Sequence, residues 1–302
     1  MNTDLEELLR QGINHLTADA QVAPSLADRA RRHVARRRTA LALTAGGAAA
    51  AASVATALTM LLGSAASVSP AAVHLLSKIA TVAERQPGAH VRNSQFWYIK
   101  SWVSYSVCGG SGDNNKCYLE KPHKRQIWQS VYNQCRVGLL RENGRDIRLD
   151  SSVGPDLRCP YRGGVNDPTY RFLQSLPTDP HRLLDLIARE MNGQQPVPEE
   201  EFTTIGDMLH ESIAPPRVSG ALYRAAALIP GVTVVRHATD AIGRPGIAVA
   251  MTSVGIRQEW IFDRHTLLYL GERDIKVADG SVFGLTAVLQ RAFVNHRGQI
   301  PR

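Results

Sequence analysis

Residues 96–105 read FWYIKSWVSY, a run of aromatic and β-branched side chains that is typical of a β-strand. Four shorter strand-like segments follow it, at residues 117–120, 125–132, 135–141 and 146–150. The last two are separated by Glu142-Asn143-Gly144-Arg145, whose Asn-Gly pair suits a two-residue hairpin turn. The sequence therefore predicts a meander of antiparallel strands in this part of the chain.

Three helices are predicted after this meander, and strands return beyond them. The first opens at Asp179-Pro180, the second runs from Glu199 to about Ile213, and the third begins near Ser219. A further helix opens earlier, at Ser69-Pro70. The returning strands are expected at residues 232–237, 247–251, 257–262, 267–272 and 285–294. This order favours an α+β fold in which helices cover one face of an antiparallel sheet.

A membrane crossing is predicted before this domain. Residues 39–77 contain no Asp, Glu, Lys or Arg and follow a cluster of arginines at positions 29, 31, 32, 36, 37 and 38. A bilayer core about 30 Å thick needs roughly 20 helical residues, which this run supplies. Because arginines concentrate on the cytoplasmic flank of a span, we expect three regions. They are a cytoplasmic tail at 1–38, a transmembrane helix region at 39–68 and an extracytoplasmic α+β domain at 69–302.

Two other interpretations of the apolar run remain open. Ser64-Ala65-Ala66 has the small-x-small form of a signal-peptide cleavage site, and Arg37-Arg38 is compatible with twin-arginine export. The charged region before the run is longer than the start of an ordinary signal peptide, which favours a retained anchor.

The positive charge of the chain does not indicate a nucleic-acid partner. The formal net charge is +8, but the only dense basic run is the arginine cluster that ends at Arg38. We interpret this run as a topology determinant in contact with the anionic headgroups of membrane lipid.

Four cysteines, Cys108, Cys117, Cys135 and Cys159, lie on the predicted outer side of the membrane. An even number of cysteines in an oxidising compartment predicts two disulfides. The Gly- and Asp-rich turn between Cys108 and Cys117 favours their pairing, which leaves Cys135 with Cys159. The competing hypothesis is a zinc site formed by Cys108, Cys117 and His123, and the lack of a CxxC pair argues against it.

The predicted cytoplasmic tail begins with an amphipathic helix. Leu5, Leu8, Leu9 and Ile13 share one face of it at helical spacing. An apolar stripe on a segment too short to hold a core favours a partner-binding role, and a helix that lies on the membrane is the alternative. The tail has no cysteine beside a histidine, so the zinc-bearing type of anti-sigma tail is excluded.

No pattern in the chain indicates catalysis. Asp263-Arg264-His265 brings a carboxylate near an imidazole, but no Gly-x-Ser-x-Gly elbow accompanies it, and a hairpin turn explains it better. His210-Glu211 lacks the second histidine of a zinc-protease helix. We therefore expect no catalytic residue, no metal and no cofactor. Four tryptophans lie on predicted strands, where they could pack in the core or line an apolar cavity. They are Trp97, Trp102, Trp128 and Trp260.

Several blocks of the chain resemble a known family. They are LPTDP at residues 176–180, AAALIPGV at 225–232, DAIGRPGIAV at 240–249, EWIFD at 259–263 and LLYLGER at 267–273. In these blocks the chain is similar to a family of actinobacterial single-pass membrane proteins with an anti-sigma-like organisation. The resemblance implies a curved antiparallel sheet packed on helices, as in the LolA lipoprotein carrier and in RseB, the sensor partner of envelope-stress anti-sigma factors. It also implies an association with sigma-factor regulation.

These patterns together predict a single-pass membrane protein that is not an enzyme. Its extracytoplasmic domain would bind an apolar ligand, a lipoprotein or another partner, and its tail would regulate a cytoplasmic protein of the sigma-factor type. Two other classes stay open: an envelope carrier of lipid or lipoprotein without signalling, and an unrecognised hydrolase. A regulator needs the apolar face of the tail, whereas a carrier would tolerate deletion of the tail.

Overall fold

The computed structural model describes residues 67–109, 116–133, 136–149, 163–191 and 197–301. Residues 39–66 of the predicted transmembrane region lie outside these ranges, and so do Cys135 and Cys159. The predicted partner-binding residues of the tail also lie outside them, namely Leu5, Leu8, Leu9 and Ile13. Among the described helices, none combines the length and the apolar sequence that a membrane span requires.

Five helices and ten strands occur in the described residues. The helices are α1 (Pro70–Glu84), α2 (Tyr170–Ser175), α3 (Pro180–Glu190), α4 (Pro198–His210) and α5 (Pro216–Ala226). The strands of the first half are β1 (Phe96–Gly109), β2 (Lys116–Leu119), β3 (His123–Ser130), β4 (Gly138–Glu142) and β5 (Arg145–Leu149). Those of the second half are β6 (Thr233–Thr239), β7 (Pro245–Ser253), β8 (Ile256–Phe262), β9 (Tyr269–Lys276) and β10 (Val282–Val294).

The ten described strands form one antiparallel sheet. Its order is β5-β4-β3-β1-β10-β9-β8-β7-β6, and β2 pairs with the end of β1. The long β1 lies in the interior of the sheet, because it pairs with β3 along one edge and with β10 along the other. The expected α+β fold with a large antiparallel sheet is confirmed.

The turn between β4 and β5 follows directly from its sequence. Glu142 pairs with Arg145, which leaves Asn143-Gly144 as a two-residue loop. Both loop residues have positive φ, 50° at Asn143 and 73° at Gly144, as a type I′ turn requires. Because glycine adopts this conformation without a steric penalty and asparagine tolerates it, the predicted hairpin forms here.

The helices pack on one face of the sheet and form the main core with it. The sheet contributes Val249, Met251, Trp260 and Phe262, which alternate along β7 and β8 with residues that face the other way. The helices contribute Leu76, Ile79, Leu183, Ile187, Phe202, Ile205 and Leu222, among others. Each large apolar side chain buried in this way stabilises the fold by about 1.5 to 3 kcal/mol. The prediction that helices cover one face is confirmed.

The opposite face carries a smaller cluster around Trp128. Phe96, Tyr98, Trp128 and Val294 are buried there, and the Tyr98 and Trp128 rings lie 5.0 Å apart. The Trp128 indole nitrogen donates a hydrogen bond to the backbone oxygen of Gln299 at 2.6 Å, so the C-terminal segment covers this ring. Of the four tryptophans, Trp97, Trp128 and Trp260 are fully buried and Trp102 is half-buried.

Several elements differ from the predicted bounds, and three of these differences have a local cause. The short helix α2 was not predicted, and it begins where the Thr169 side chain accepts a hydrogen bond from the Phe172 amide at 3.1 Å. Helix α5 begins at Pro216, before the predicted Ser219, because proline fits the first turn of a helix. The strand predicted at 135–141 begins at Gly138, since a turn held by the Ser130 hydroxyl follows β3.

Candidate functional site

A group of polar and aromatic side chains lies between the helices and the sheet, at the end of α4. His210 is the last residue of α4, and it meets side chains from β8, β9 and β10. The contacting residues are Trp260, Tyr269, Glu272 and Arg291. We refer to these four residues and His210 as the His210 cluster.

Ring stacking fixes the position of the His210 imidazole. Its ring stacks on Tyr269 with the centroids 3.9 Å apart and 11° between the planes. The Trp260 indole meets the imidazole edge-on, at 5.2 Å and 84°. Phe202 of α4 stacks in turn on Trp260 at 3.8 Å. Aromatic pairs of this kind contribute about 0.5 to 1.5 kcal/mol beyond their buried area, so they favour a single orientation of the imidazole.

Arg291 reaches the cluster from β10. Its Nη2 donates a hydrogen bond to the backbone oxygen of His210 at 3.1 Å. Its guanidinium carbon lies 5.3 Å from the centroid of the Tyr269 ring. In the described part of the chain, no carboxylate oxygen lies within 4.0 Å of this guanidinium. The group therefore brings a positive charge into the interface without forming an ion pair there.

Glu272 carries the negative charge of the cluster. Its Oε2 lies 3.5 Å from Nδ1 of His210, and its Oε1 accepts a hydrogen bond from the Gln258 side chain. Its backbone nitrogen donates to Oγ1 of Thr286 at 2.9 Å. The strand and Gln258 thus hold this carboxylate beside the imidazole.

Several buried polar atoms of the cluster have no hydrogen-bond partner among the described residues. They are Nε2 of His210, Oη of Tyr269, Nε of Arg291 and Nε1 of Trp260, while Nδ1 of His210 has only the Glu272 carboxylate oxygen at 3.5 Å. The Trp260 nitrogen faces Gly206 of α4, where an added Cβ would lie only 2.8 Å away. Buried polar groups nearly always have a partner, and one without a partner costs about 1 to 3 kcal/mol. The atoms of His210, Tyr269 and Arg291 therefore mark a candidate binding site.

Burial sets the protonation states in this site. It lowers the pKa of His210, and this effect exceeds the opposing effect of the Glu272 carboxylate. It also lowers the pKa of the Arg291 guanidinium. Burial raises the pKa of Tyr269 well above its ordinary value, against a smaller effect of the Thr286 side chain, and raises the pKa of Tyr223 on α5 to about 12. At neutral pH, His210 is therefore uncharged and both tyrosines keep their protons.

The predicted cysteine site is only partly described. Cys117 lies opposite Cys108 in the pairing of β2 with β1, and Cys117 is bonded in a disulfide. The connectivity of the four cysteines stays a prediction, because Cys135 and Cys159 lie outside the described residues. His123 of the zinc hypothesis has its Nε2 2.8 Å from Oε1 of Glu142. No three His, Cys, Asp or Glu side chains within the described ranges are close enough to hold a metal ion.

Asp263-Arg264-His265 forms the turn between β8 and β9, as the sequence predicted. The Asp263 carboxylate accepts hydrogen bonds from the backbone nitrogens of His265 and Thr266, at 3.0 and 2.7 Å. These bonds lower the pKa of Asp263. Its contacts are those of a residue that stabilises a turn.

The block at residues 240–249 stabilises the turn between β6 and β7. Asp240 accepts hydrogen bonds from the backbone nitrogens of Ile242 and Arg244, at 3.1 and 2.9 Å. The Arg244 guanidinium donates to Asp240 and to the backbone oxygens of Leu270 and Val288. These contacts connect the turn to β9 and β10, so the block is explained by the fold.

Comparison with known proteins leaves the family of the chain open. No protein-family model matches it, and no curated protein matches it. Among the solved structures, the chain is similar to the crystal structure of MucB in complex with MucA(peri), at 12% sequence identity and a TM-score of 0.25. The alignment covers 77% of this chain and 57% of the matched chain in that crystal structure. This chain therefore spans little more than half of the length of the protein it matches. The likeness is weak and assigns no family.

Proposed function

We propose that the chain is a membrane-anchored binding protein without enzymatic activity, whose folded domain lies outside the cytoplasm. This domain binds a ligand at the His210 cluster, in a LolA/RseB-like arrangement of sheet and helices. The amino-terminal tail passes the bound state to a cytoplasmic partner of the sigma-factor type. The observation that carries the proposal is the set of buried polar atoms without partners on His210, Tyr269 and Arg291.

A purely structural role explains these atoms poorly. One buried group without a partner costs about 1 to 3 kcal/mol, which is a large share of the total stability of a typical domain, about 5 to 15 kcal/mol. A bound molecule would supply the missing partners. The stacked rings of Phe202, Trp260 and Tyr269 would shield it from bulk water.

In this proposal, the tail is the part of the chain that binds the cytoplasmic partner. Leu5, Leu8, Leu9 and Ile13 would bury against the cytoplasmic partner, and each fully buried side chain would contribute about 1.5 to 3 kcal/mol before the entropy of association is subtracted. The arginines between positions 29 and 38 would keep the tail on the cytoplasmic side. The resemblance to anti-sigma-like membrane proteins supports the same division of roles.

The test uses the full chain as bait for cytoplasmic proteins of its native host. We expect the wild type to retain a sigma-factor-type protein and Leu8→Asp to lose it, because the charge cannot be buried in the contact. His210→Leu should change the retained amount by about fivefold or more, since it alters the ligand site. His74→Leu, at an exposed position on α1, is the matched control and should behave as the wild type.

One result would overturn the regulatory proposal. If the wild type and Leu8→Asp retain the same proteins in the same amounts, the tail does not dock through this face. An envelope carrier without signalling would then explain the chain better.

A further inference from the structure

Arg291 is paired differently from other arginines of the sheet. Arg257 and Arg273 both donate to the buried carboxylate of Glu259. Arg257 donates through Nε at 2.7 Å, and Arg273 donates through Nε at 2.9 Å and through Nη2 at 2.6 Å. Arg291 instead donates one hydrogen bond, to a backbone oxygen, and faces the Tyr269 ring. Its Nε is buried and has no partner among the described residues. Among the residues that the structure describes, Arg291 therefore has no carboxylate partner, whereas Arg257 and Arg273 share Glu259.

The carboxylates next to the cluster already hold other groups. Glu272 accepts a hydrogen bond from Gln258 and lies beside Nδ1 of His210. Glu211, which follows α4, has its Oε1 3.4 Å from Nη1 of Arg125. Neither carboxylate comes within 4.0 Å of the Arg291 guanidinium. Within the described ranges no carboxylate pairs with this arginine, so an added anion would find a charge partner there.

Two donor groups are suitably placed to bind such an anion. The Nε of Arg291 carries a buried N–H without a partner among the described residues, and Nη2, on the same edge of the guanidinium, has a second N–H beyond the one it donates to His210. Donors on neighbouring guanidinium nitrogens suit the oxygens of a carboxylate or a phosphate. The Tyr269 hydroxyl is buried and keeps its proton, so it can donate as well, in place of its contact with the Thr286 side chain. The guanidinium carbon lies 5.3 Å from the centroid of the Tyr269 ring, so the two side chains are neighbours in the interface.

We infer that the His210 cluster binds an oxyanion, a carboxylate or phosphate group that pairs with Arg291 and accepts a hydrogen bond from Tyr269. The inference names the ligand class of the binding function proposed above and rests on that proposal. The oxyanion belongs either to a free small molecule or to the head of an amphiphile, and the two sources present the same chemistry to Arg291.

Calorimetric titration of the full chain in nanodiscs of zwitterionic lipid tests the inference. The probes are inorganic phosphate, decanoate and decanol. Decanol has the same ten-carbon alkyl chain length as decanoate but no charge. We expect saturable binding of one molecule of phosphate or of decanoate per chain. Arg291→Met should weaken it about tenfold or more, because a buried charge pair is lost. Arg236→Met, which removes an exposed arginine from β6, should leave the dissociation constant unchanged within about twofold.

A second variant guards against misfolding. If Arg291→Met shows altered circular dichroism, Arg291→Lys keeps the charge and loses the parallel donor pair, and we expect it to weaken binding severalfold. Tight binding of phosphate identifies a free anion. Preference for decanoate over both phosphate and decanol identifies the head of an amphiphile.

Two results would contradict the inference, and they differ in what they say about the proposed function. Equal affinity for decanol and decanoate, unchanged by Arg291→Met, would show a ligand site that does not bind an oxyanion. In that case the inference is wrong and the binding function stands. Binding of no probe, together with a His210→Leu pull-down identical to the wild type, would overturn both.

Discussion

At the scale of single residues, His210 is the most informative side chain of the domain. It is buried, stacked on Tyr269 with Trp260 edge-on to it, and close to both Glu272 and Arg291. Burial makes the neutral imidazole more favourable than the charged one, so its pKa in the folded protein lies below the value in the unfolded chain. The unfolded state therefore binds a proton first as the pH falls.

We predict that His210 makes the domain less stable in mild acid. Its stabilising contribution is complete above the unfolded pKa of about 6.5 and is lost as the pH falls below that value, with a slope of up to about 1.4 kcal/mol per pH unit. Chemical denaturation between about pH 7.5 and pH 5.5 measures the slope. His210→Gln should flatten it, whereas the exposed control His74→Gln should keep it. Identical slopes for the wild type and His210→Gln would refute the prediction.

At the scale of elements, Gly206 controls how closely α4 approaches β8. An added Cβ would lie 2.8 Å from Nε1 of Trp260, which is too close for a normal contact. Gly206→Ala should therefore destabilise the domain by about 1 to 3 kcal/mol, although alanine is the better helix former. Denaturant titration measures this change. In a Trp260→Phe background the smaller ring should relieve the clash, so Gly206→Ala should cost less stability there. An equal loss of stability in both backgrounds would contradict the predicted clash with Trp260.

The strand pair β1 and β2 carries the predicted disulfide of the first hairpin. Because Cys108 and Cys117 face each other in register, we expect mass mapping of non-reduced peptides to find them joined. Reduction should lower stability by about 2.7 kcal/mol if the chain-entropy account of a ten-residue loop holds. The same map should join Cys135 to Cys159. Four free thiols in protein exported by the native host would contradict both pairs.

The elements could be predicted wherever the signal is local. The Asn143-Gly144 hairpin, the Asp179 cap and the Asp263 turn each depend on residues a few positions apart, and all three form as expected. Helix α2 spans only six residues, too few for a helical period to stand out. Its one local signal was the capping residue Thr169.

The candidate site could not be predicted, because it is assembled from distant parts of the chain. In the sequence, His210 stands beside Glu211 and forms only half of a zinc motif. The actual partners, Tyr269 and Arg291, come from β9 and β10, and only the order and register of the sheet bring them to α4. A lone arginine near the end of an apolar strand was the remaining clue, since such a charge needs a partner.

At the scale of the whole molecule, the proposal requires the tail and the folded domain on opposite sides of the membrane. Protease added to intact spheroplasts should remove the domain and spare an epitope placed at Met1, because the arginine cluster keeps the tail inside. Loss of that epitope from intact cells would reverse the orientation. A soluble product that begins near Ser67 would show that the apolar run is a cleaved signal.

The most direct test of the account is native mass spectrometry of the full chain extracted from membranes of its host. We expect one bound acidic molecule per wild-type chain, held by the His210 cluster. In His210→Leu and Arg291→Met this molecule should be lost, while His74→Leu should retain it. A wild-type chain that carries no bound molecule, like both cluster variants, would contradict the proposed ligand binding.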